Sequence, residues 1–123
     1  MRMFPFALAI AATGLLAACE TQGTRRIGDL TQSDLNTGLR IAKADPTQRQ
    51  WLVHQCRADQ RMQSRRQNAN LAVLMNVTPA QAPAVYCDRL IKGLESGRIT
   101  AADLNAGTRG MITPPVLAVL QGE

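Results

Sequence analysis

Four short motifs fix which architectures are open to this chain. Thr31 stands three residues before Asp34. Asp45 is followed by Pro46 and then Gln48, and Thr78 by Pro79 and then Gln81. Thr100 stands three residues before Asp103. Each is a helix start. The short oxygen side chain can accept from the first free N–H groups. Gln at the third helical position can reach back to complete a capping box, and Asp there favours the positive helix end. Pro at the first position loses no helix hydrogen bond. Matching stops are Asp45-Pro46, Gly97 and Gly107. The motifs predict helices over 31–44, 46–66, 79–96 and 101–106, with Pro83 as an alternative start that would shorten the third by one turn. A short fifth helix is expected after Pro114-Pro115, using Val116, Leu117, Val119 and Leu120. The stretch from Leu71 to Met75 is apolar without clear period. Gly and Pro are absent from Thr47 to Thr78, so helix is expected there, as a continuation of the second helix or a buried crossing, with a strand as the alternative. The fold class read from the sequence is all-α: a small bundle of four to five short helices over residues 31–123.

Helical periodicity assigns faces. At 100° per residue, Pro83, Ala84, Cys87, Leu90, Ile91 and Leu94 fall within a stripe of about 120°, and Arg89 and Lys92 are expected to point the other way. In the second helix Leu52 and Cys56 share one side. Gln50, His54, Arg57, Arg61 and Arg65 share the other. Residues 46–66 hold five Arg and one Asp, so this segment alone supplies about +4.

The first 19 residues, MRMFPFALAIAATGLLAAC, have a different character. Arg2 gives a positive start, Phe4 to Leu16 a short apolar run, and Leu16-Ala17-Ala18 small residues before Cys19. This is the layout of a secretory signal. The run is shorter than the roughly 20 residues that a membrane-spanning helix needs. Leu16-Ala17-Ala18-Cys19 resembles the bacterial lipobox: Leu, a small residue, Ala or Gly, then Cys. The resemblance covers about 19 residues. It implies that residues 1–18 are a cleaved signal peptide and that the Cys19 thiol takes diacylglycerol as a thioether. Lipoproteins of this type carry two or three acyl chains, enough to hold firmly to a membrane. Alternatives are an ordinary signal peptide cut after Ala18 and a retained signal anchor. In enteric bacteria an Asp after the cysteine keeps lipoproteins in the inner membrane. Glu20 is not that residue, so a periplasm-facing position on the outer membrane is expected ahead of the inner. Residues 20–30, ETQGTRRIGDL, are polar with two glycines and read as a tether.

Removing 18 residues from 123 leaves 105, with 13 Lys plus Arg against 9 Asp plus Glu, about +4. Only Trp51 and Tyr86 remain as aromatics, so Leu, Ile, Val, Met and Ala must build the core. A domain of this size often needs a staple. With Cys19 assigned to lipid, Cys56 and Cys87 are the one pair left, both on predicted inward faces of an exported domain. A disulfide between them would close about 31 residues and stabilise the fold by roughly 3–4 kcal/mol on the chain-entropy model. The alternative is two unpaired buried thiols.

The chemistry-bearing residues point away from catalysis. His54 and Cys56 are two apart and sit on different helix faces. There is no C-x-x-C, no fourth ligand at zinc spacing, no glycine-rich phosphate loop and no nucleophile motif around Ser33, Ser64 or Ser96. No cofactor or metal is expected. The row Arg57, Arg61, Arg65, one turn apart, forms a basic ridge about 12 Å long. It fits an anionic envelope component (lipid heads, a wall polymer or an acidic protein), with a plain solvated helix face as the alternative. Nucleic acid is disfavoured by the address and by the lack of stacking aromatics. Leu90 to Leu104, LIKGLESGRITAADL, is similar to a short helical module found at the C-terminus of many bacterial proteins, with Leu104 in place of its usual Phe and a Lys of its second helix missing. The similarity implies a helix–turn–helix hairpin and no function. The sequence thus reads as a membrane-anchored cell-envelope lipoprotein with a non-enzymatic accessory or binding role. A small periplasm-facing enzyme or inhibitor is the alternative.

Overall fold

The computed structural model describes residues 30–123. The expected signal peptide (1–18), Cys19 and the tether up to residue 29 lie outside the described residues. Six helices, and no strand, occur among the described residues: α1 (Gln32–Ala44), α2 (Pro46–Arg61), α3 (Arg65–Met75), α4 (Ala82–Glu95), α5 (Ala101–Thr108) and α6 (Pro114–Gln121). The all-α bundle read from the sequence is present, with one helix more than expected.

The extra helix comes from a break in the expected 46–66 segment. α2 stops at Arg61, and Ser64 starts a new helix. The Ser64 side chain accepts from the Gln67 N–H, and the Gln67 side chain accepts from the Ser64 N–H. This reciprocal capping box satisfies two end groups without Gly or Pro. Asn68 then ties the corner by donating to the Gln60 carbonyl. Leu71 to Met75 belongs to α3, which ends on Asn76 in the left-handed region (φ 57°).

Two other boundaries move. The expected start at Pro79 is a turn, in which the Thr78 carbonyl accepts from the N–H groups of Gln81 and Ala82. α4 begins at Ala82, so Pro83 sits in the first turn, where its missing N–H costs nothing. α5 runs through Gly107 to Thr108, and Gly110 (φ 80°) makes the reversal that was assigned to Gly107. Thr31 and Thr100 cap α1 and α5 as expected, and Asp34 and Asp103 go further than expected by reaching back to complete capping boxes, whereas Asp45 accepts from the Thr47 N–H without the box expected from Gln48.

α4 is the central helix. α2 lies on one side of it, α3 and α6 on another, and α1 bridges α2 and α5. Ala72 and Met75 of α3, Ala82 of α4 and Leu120 of α6 form the buried cluster. Cys87 and Ile91 continue the buried stripe of α4. Gly93 allows α6 and the turn after α4 to close in. A Cβ there would lie 2.7 Å from Ile99 Cδ1 and 2.9 Å from Val119 Cγ1. Arg89 departs from the predicted facing. It is half-buried, and its guanidinium donates to the carbonyls of Met75 and Leu120. It thereby caps the C-terminal ends of α3 and α6, where a positive charge is favourable.

Cys56 and Cys87 are joined in a disulfide across α2 and α4, with Cα atoms 5.9 Å apart. α2 contributes no fully buried residue of its own.

Candidate functional site

The basic ridge is not straight. Arg57 and Arg61 remain one turn apart on α2, but Arg65 is the first residue of α3, beyond the Ser64 cap. The 12 Å row on one helix is therefore replaced by a basic corner: Arg61 at the end of α2, Arg65 and Arg66 at the start of α3. All three are exposed. None of them makes an ion pair with a described residue. Other cations do: Arg49 meets Glu95 at 2.7 Å, and Lys92 meets Asp88 at 3.1 Å. The hydrogen bond and charge of Glu95 hold the Arg49 guanidinium above its ordinary pKa. Arg57 is half-buried, and its Nε is enclosed without a hydrogen-bond partner, as are Gln60 Oε1 and Asn68 Oδ1. Met62, between Arg61 and Arg65, is 86% exposed.

A cleft of about 690 Å³ opens between α3, α4, α5 and α6, and Arg61, Arg65 and Arg66 are not among its lining residues. Its walls come from four helices. Leu71 and Leu74 sit on one face of α3, Tyr86 and Leu90 on one face of α4, Leu104 on α5, and Val116 and Leu120 on α6. Each pair follows helical spacing of three or four residues. The rim is made of amides on the α2–α3 side: Gln60, Gln63, Gln67 and Asn70. Opposite them the α5–α6 loop presents Met111 and Ile112, both more than half exposed. A concave, mainly apolar space with a few polar groups at its edge is the usual form of a ligand site, and its volume lies within the roughly 300–1,000 Å³ of such sites.

Burial raises the pKa of the Tyr86 hydroxyl, so the ring is a neutral wall at physiological pH. Asp103 is the one acidic residue lining the cleft among the described residues. Its carboxylate accepts from the Thr113 hydroxyl at 2.6 Å and from the Thr100 N–H at 2.8 Å, and these bonds hold its pKa below the ordinary value. It joins the start of α5 to the start of α6 and is occupied in that role.

Leu30 is fixed to α5. Its N–H donates to Asn105 Oδ1 at 3.2 Å, and its carbonyl accepts from Asn105 Nδ2 at 2.8 Å. The chain therefore enters the domain on α5.

Cys19 lies outside the described residues. Cys56 and Cys87 are brought together; of the three predicted ridge arginines, Arg61 and Arg65 flank the corner on different helices, while Arg57 lies a turn back on α2 and is half-buried. His54 is exposed. No group of three or more His, Cys, Asp or Glu suited to a metal occurs among the described residues, and no helix among them is long and apolar enough to cross a membrane. The cleft escaped sequence reasoning. Its apolar faces were legible one helix at a time, but a gap between them exists only after packing. Exposed Met111-Ile112 beside Gly110 was the one local hint.

Comparison with protein-family models, curated proteins and solved structures finds no match to this chain.

Proposed function

We propose that this chain is a cell-envelope lipoprotein, tethered through lipid on Cys19, whose helical domain is a non-enzymatic accessory or binding part for an anionic component. The observation that carries the binding reading is the corner formed by Arg61, Arg65 and Arg66. Three exposed cations stand within six residues and have no acidic partner among the described residues, while Arg49 and Lys92 are paired. Like charges this close repel by a few tenths of a kcal/mol per pair. A helix junction that needed only solubility would mix signs. Beside a membrane, each basic residue near anionic lipid contributes roughly 1 kcal/mol. Exposed Met62 at the apex supplies an apolar contact at the same point. Glu20 after the cysteine favours the outer membrane over the inner.

The anchor is tested by intact mass of the N-terminal peptide, which should show a diacylglycerol-modified Cys19. An unmodified mature Cys19 in a cell with working lipidation would end that part. The contact is tested by co-sedimentation with neutral and anionic vesicles at two salt concentrations. Binding should need anionic lipid and weaken with salt. Replacing Arg61, Arg65 and Arg66 by Gln should abolish it with helicity unchanged. Equal binding by both proteins would show that the corner is only solvated.

A further inference from the structure

We propose that a second pocket, of about 390 Å³ between α1, α2 and α4, binds a small apolar carboxylate. The hydrocarbon body lies against Leu39, Leu52 and Ile91, and the carboxylate meets Arg40 and Lys43. This site is separate from the α2–α3 corner, and the inference rests neither on that reading nor on lipid at Cys19.

Helical spacing gathers the lining. Arg40 and Lys43 are three apart on α1, Arg49 and Leu52 three apart on α2, and Ile91 and Glu95 four apart on α4, so each pair shares a face. The pocket lies on the side of α4 where α2 buries no residue completely. Its apolar part is Leu39, Ala42, Leu52 and Ile91. Leu52 stays 37% exposed, which leaves apolar surface for a ligand to cover. The other four lining residues are charged: three cations and one carboxylate. That carboxylate is already engaged, since Glu95 Oε1 accepts from Arg49 Nε at 3.1 Å and from Arg49 Nη2 at 2.7 Å. Arg40 and Lys43 make no ion pair with a described residue. As like charges about one turn apart on a helix they repel. The lining therefore carries two uncompensated positive charges beside an apolar surface, and an anion with an apolar body answers both. A carboxylate would find at Arg40 and Lys43 the kind of charge-assisted bonds that Glu95 finds at Arg49. The larger cleft offers no such match, because no Lys or Arg lines it. A volume near the low end of the roughly 300–1,000 Å³ range of ligand sites selects a small molecule.

The test is calorimetric titration of the full chain carrying Cys19→Ser, with its disulfide closed, using ligands below their micellar concentrations. Octanoate should bind with a Kd about tenfold below that of octan-1-ol, the effect of one charge-assisted hydrogen bond. From butanoate to octanoate Kd should fall about tenfold for each two added methylenes, because each buried CH₂ adds a constant increment. Salt should weaken octanoate more than octan-1-ol. Arg40→Gln with Lys43→Gln changes two exposed side chains. It should bring octanoate to the level of octan-1-ol and leave helicity and octan-1-ol binding unchanged. Glu95→Gln should act in the opposite direction. It frees Arg49 and removes the one negative charge, so octanoate should bind several-fold more tightly. Intermolecular nuclear Overhauser effects should join the octanoate methylenes to the methyl groups of Leu39, Leu52 and Ile91. Equal binding of octanoate and octan-1-ol, or an unaltered octanoate Kd after Arg40→Gln with Lys43→Gln, would overturn the proposal. Overhauser effects to Leu71 or Leu104 instead would put the ligand in the larger cleft and overturn it as well.

Discussion

α4 is held from two sides by different means. On the side of α3 and α6 the contact is burial: Ala72, Met75, Val119 and Leu120 are almost wholly enclosed. On the side of α2 the contact is a list of bonds. α2 is 16 residues long and buries none completely. It is fixed to α4 by the Cys56–Cys87 disulfide and by the Arg49–Glu95 ion pair. Trp51 on α2 is 60% exposed. The difference teaches where a small aromatic-poor domain runs out of core. Its apolar side chains close one interface, and the second is closed covalently.

The comparison breaks most readily on the buried side. Met75→Ala should lower stability by about 2–5 kcal/mol. Chemical denaturation should show one cooperative loss that includes α4 and α6. A loss confined to α3 would mean that the cluster is not shared.

The bonded side should respond differently. Cys56→Ser and Cys87→Ser should each cost about 2–4 kcal/mol, by similar amounts, because each removes the same bond. Hydrogen exchange should quicken in α2 while α3, α4 and α6 stay protected. Trp51 emission should follow the change. Uniform exchange through all helices would show that the disulfide also supports the core. Both thiols reacting with an alkylating agent before reduction would refute the bridge.

Acid sharpens the picture at the cleft. The folded Asp103 carboxyl titrates below its ordinary value of about 3.9. Its contribution is therefore fully present above the unfolded pKa and is lost as the pH falls from about 4 through the folded value. Asp103→Asn should cost about 1 kcal/mol at neutral pH and flatten the acid limb of the stability curve below pH 4. An unchanged acid limb would remove Asp103 from the link between α5 and α6.

The smallest effect belongs to the surface pair. Arg49→Gln with Glu95→Gln should change stability by less than about 1 kcal/mol, and less still in salt. A larger loss would mean that the ion pair, and not the disulfide, sets the position of α2.

Much of the bundle was legible because helix ends are written locally. Thr31 and Thr100 cap the helices that their spacing announces, and Asp34 and Asp103 in the first turns complete boxes beyond that reading. The stripe through Cys87 and Ile91 is the buried one. The miss between α2 and α3 was also local. Ser64 with Gln67 has the spacing of a capping box, and because the stretch is free of Gly and Pro that spacing is the only local mark of the break. Arg89 was misread for another reason. Its polar sequence position says that the charge must find partners, and does not say that carbonyls at two helix ends will serve as well as water. The cleft lies beyond both kinds of reading, since it depends on how α5 and α6 fall across α3 and α4. For the arginines the sequence supplied the residues and the charge but not the corner, because the corner depends on where α2 stops.

The disulfide has one more effect, on how the chain can be destroyed. It closes a covalent ring from Cys56 to Cys87, and α3 lies wholly inside it. The exposed Arg61, Arg65 and Arg66 lie inside it as well, at the junction where the helical backbone is interrupted and a trypsin-like protease finds its easiest bonds. A cut there opens the ring without parting the molecule. The two fragments stay joined until the sulfurs are reduced, so the nicked and the intact chain run alike on a gel without reductant and separate on one with it.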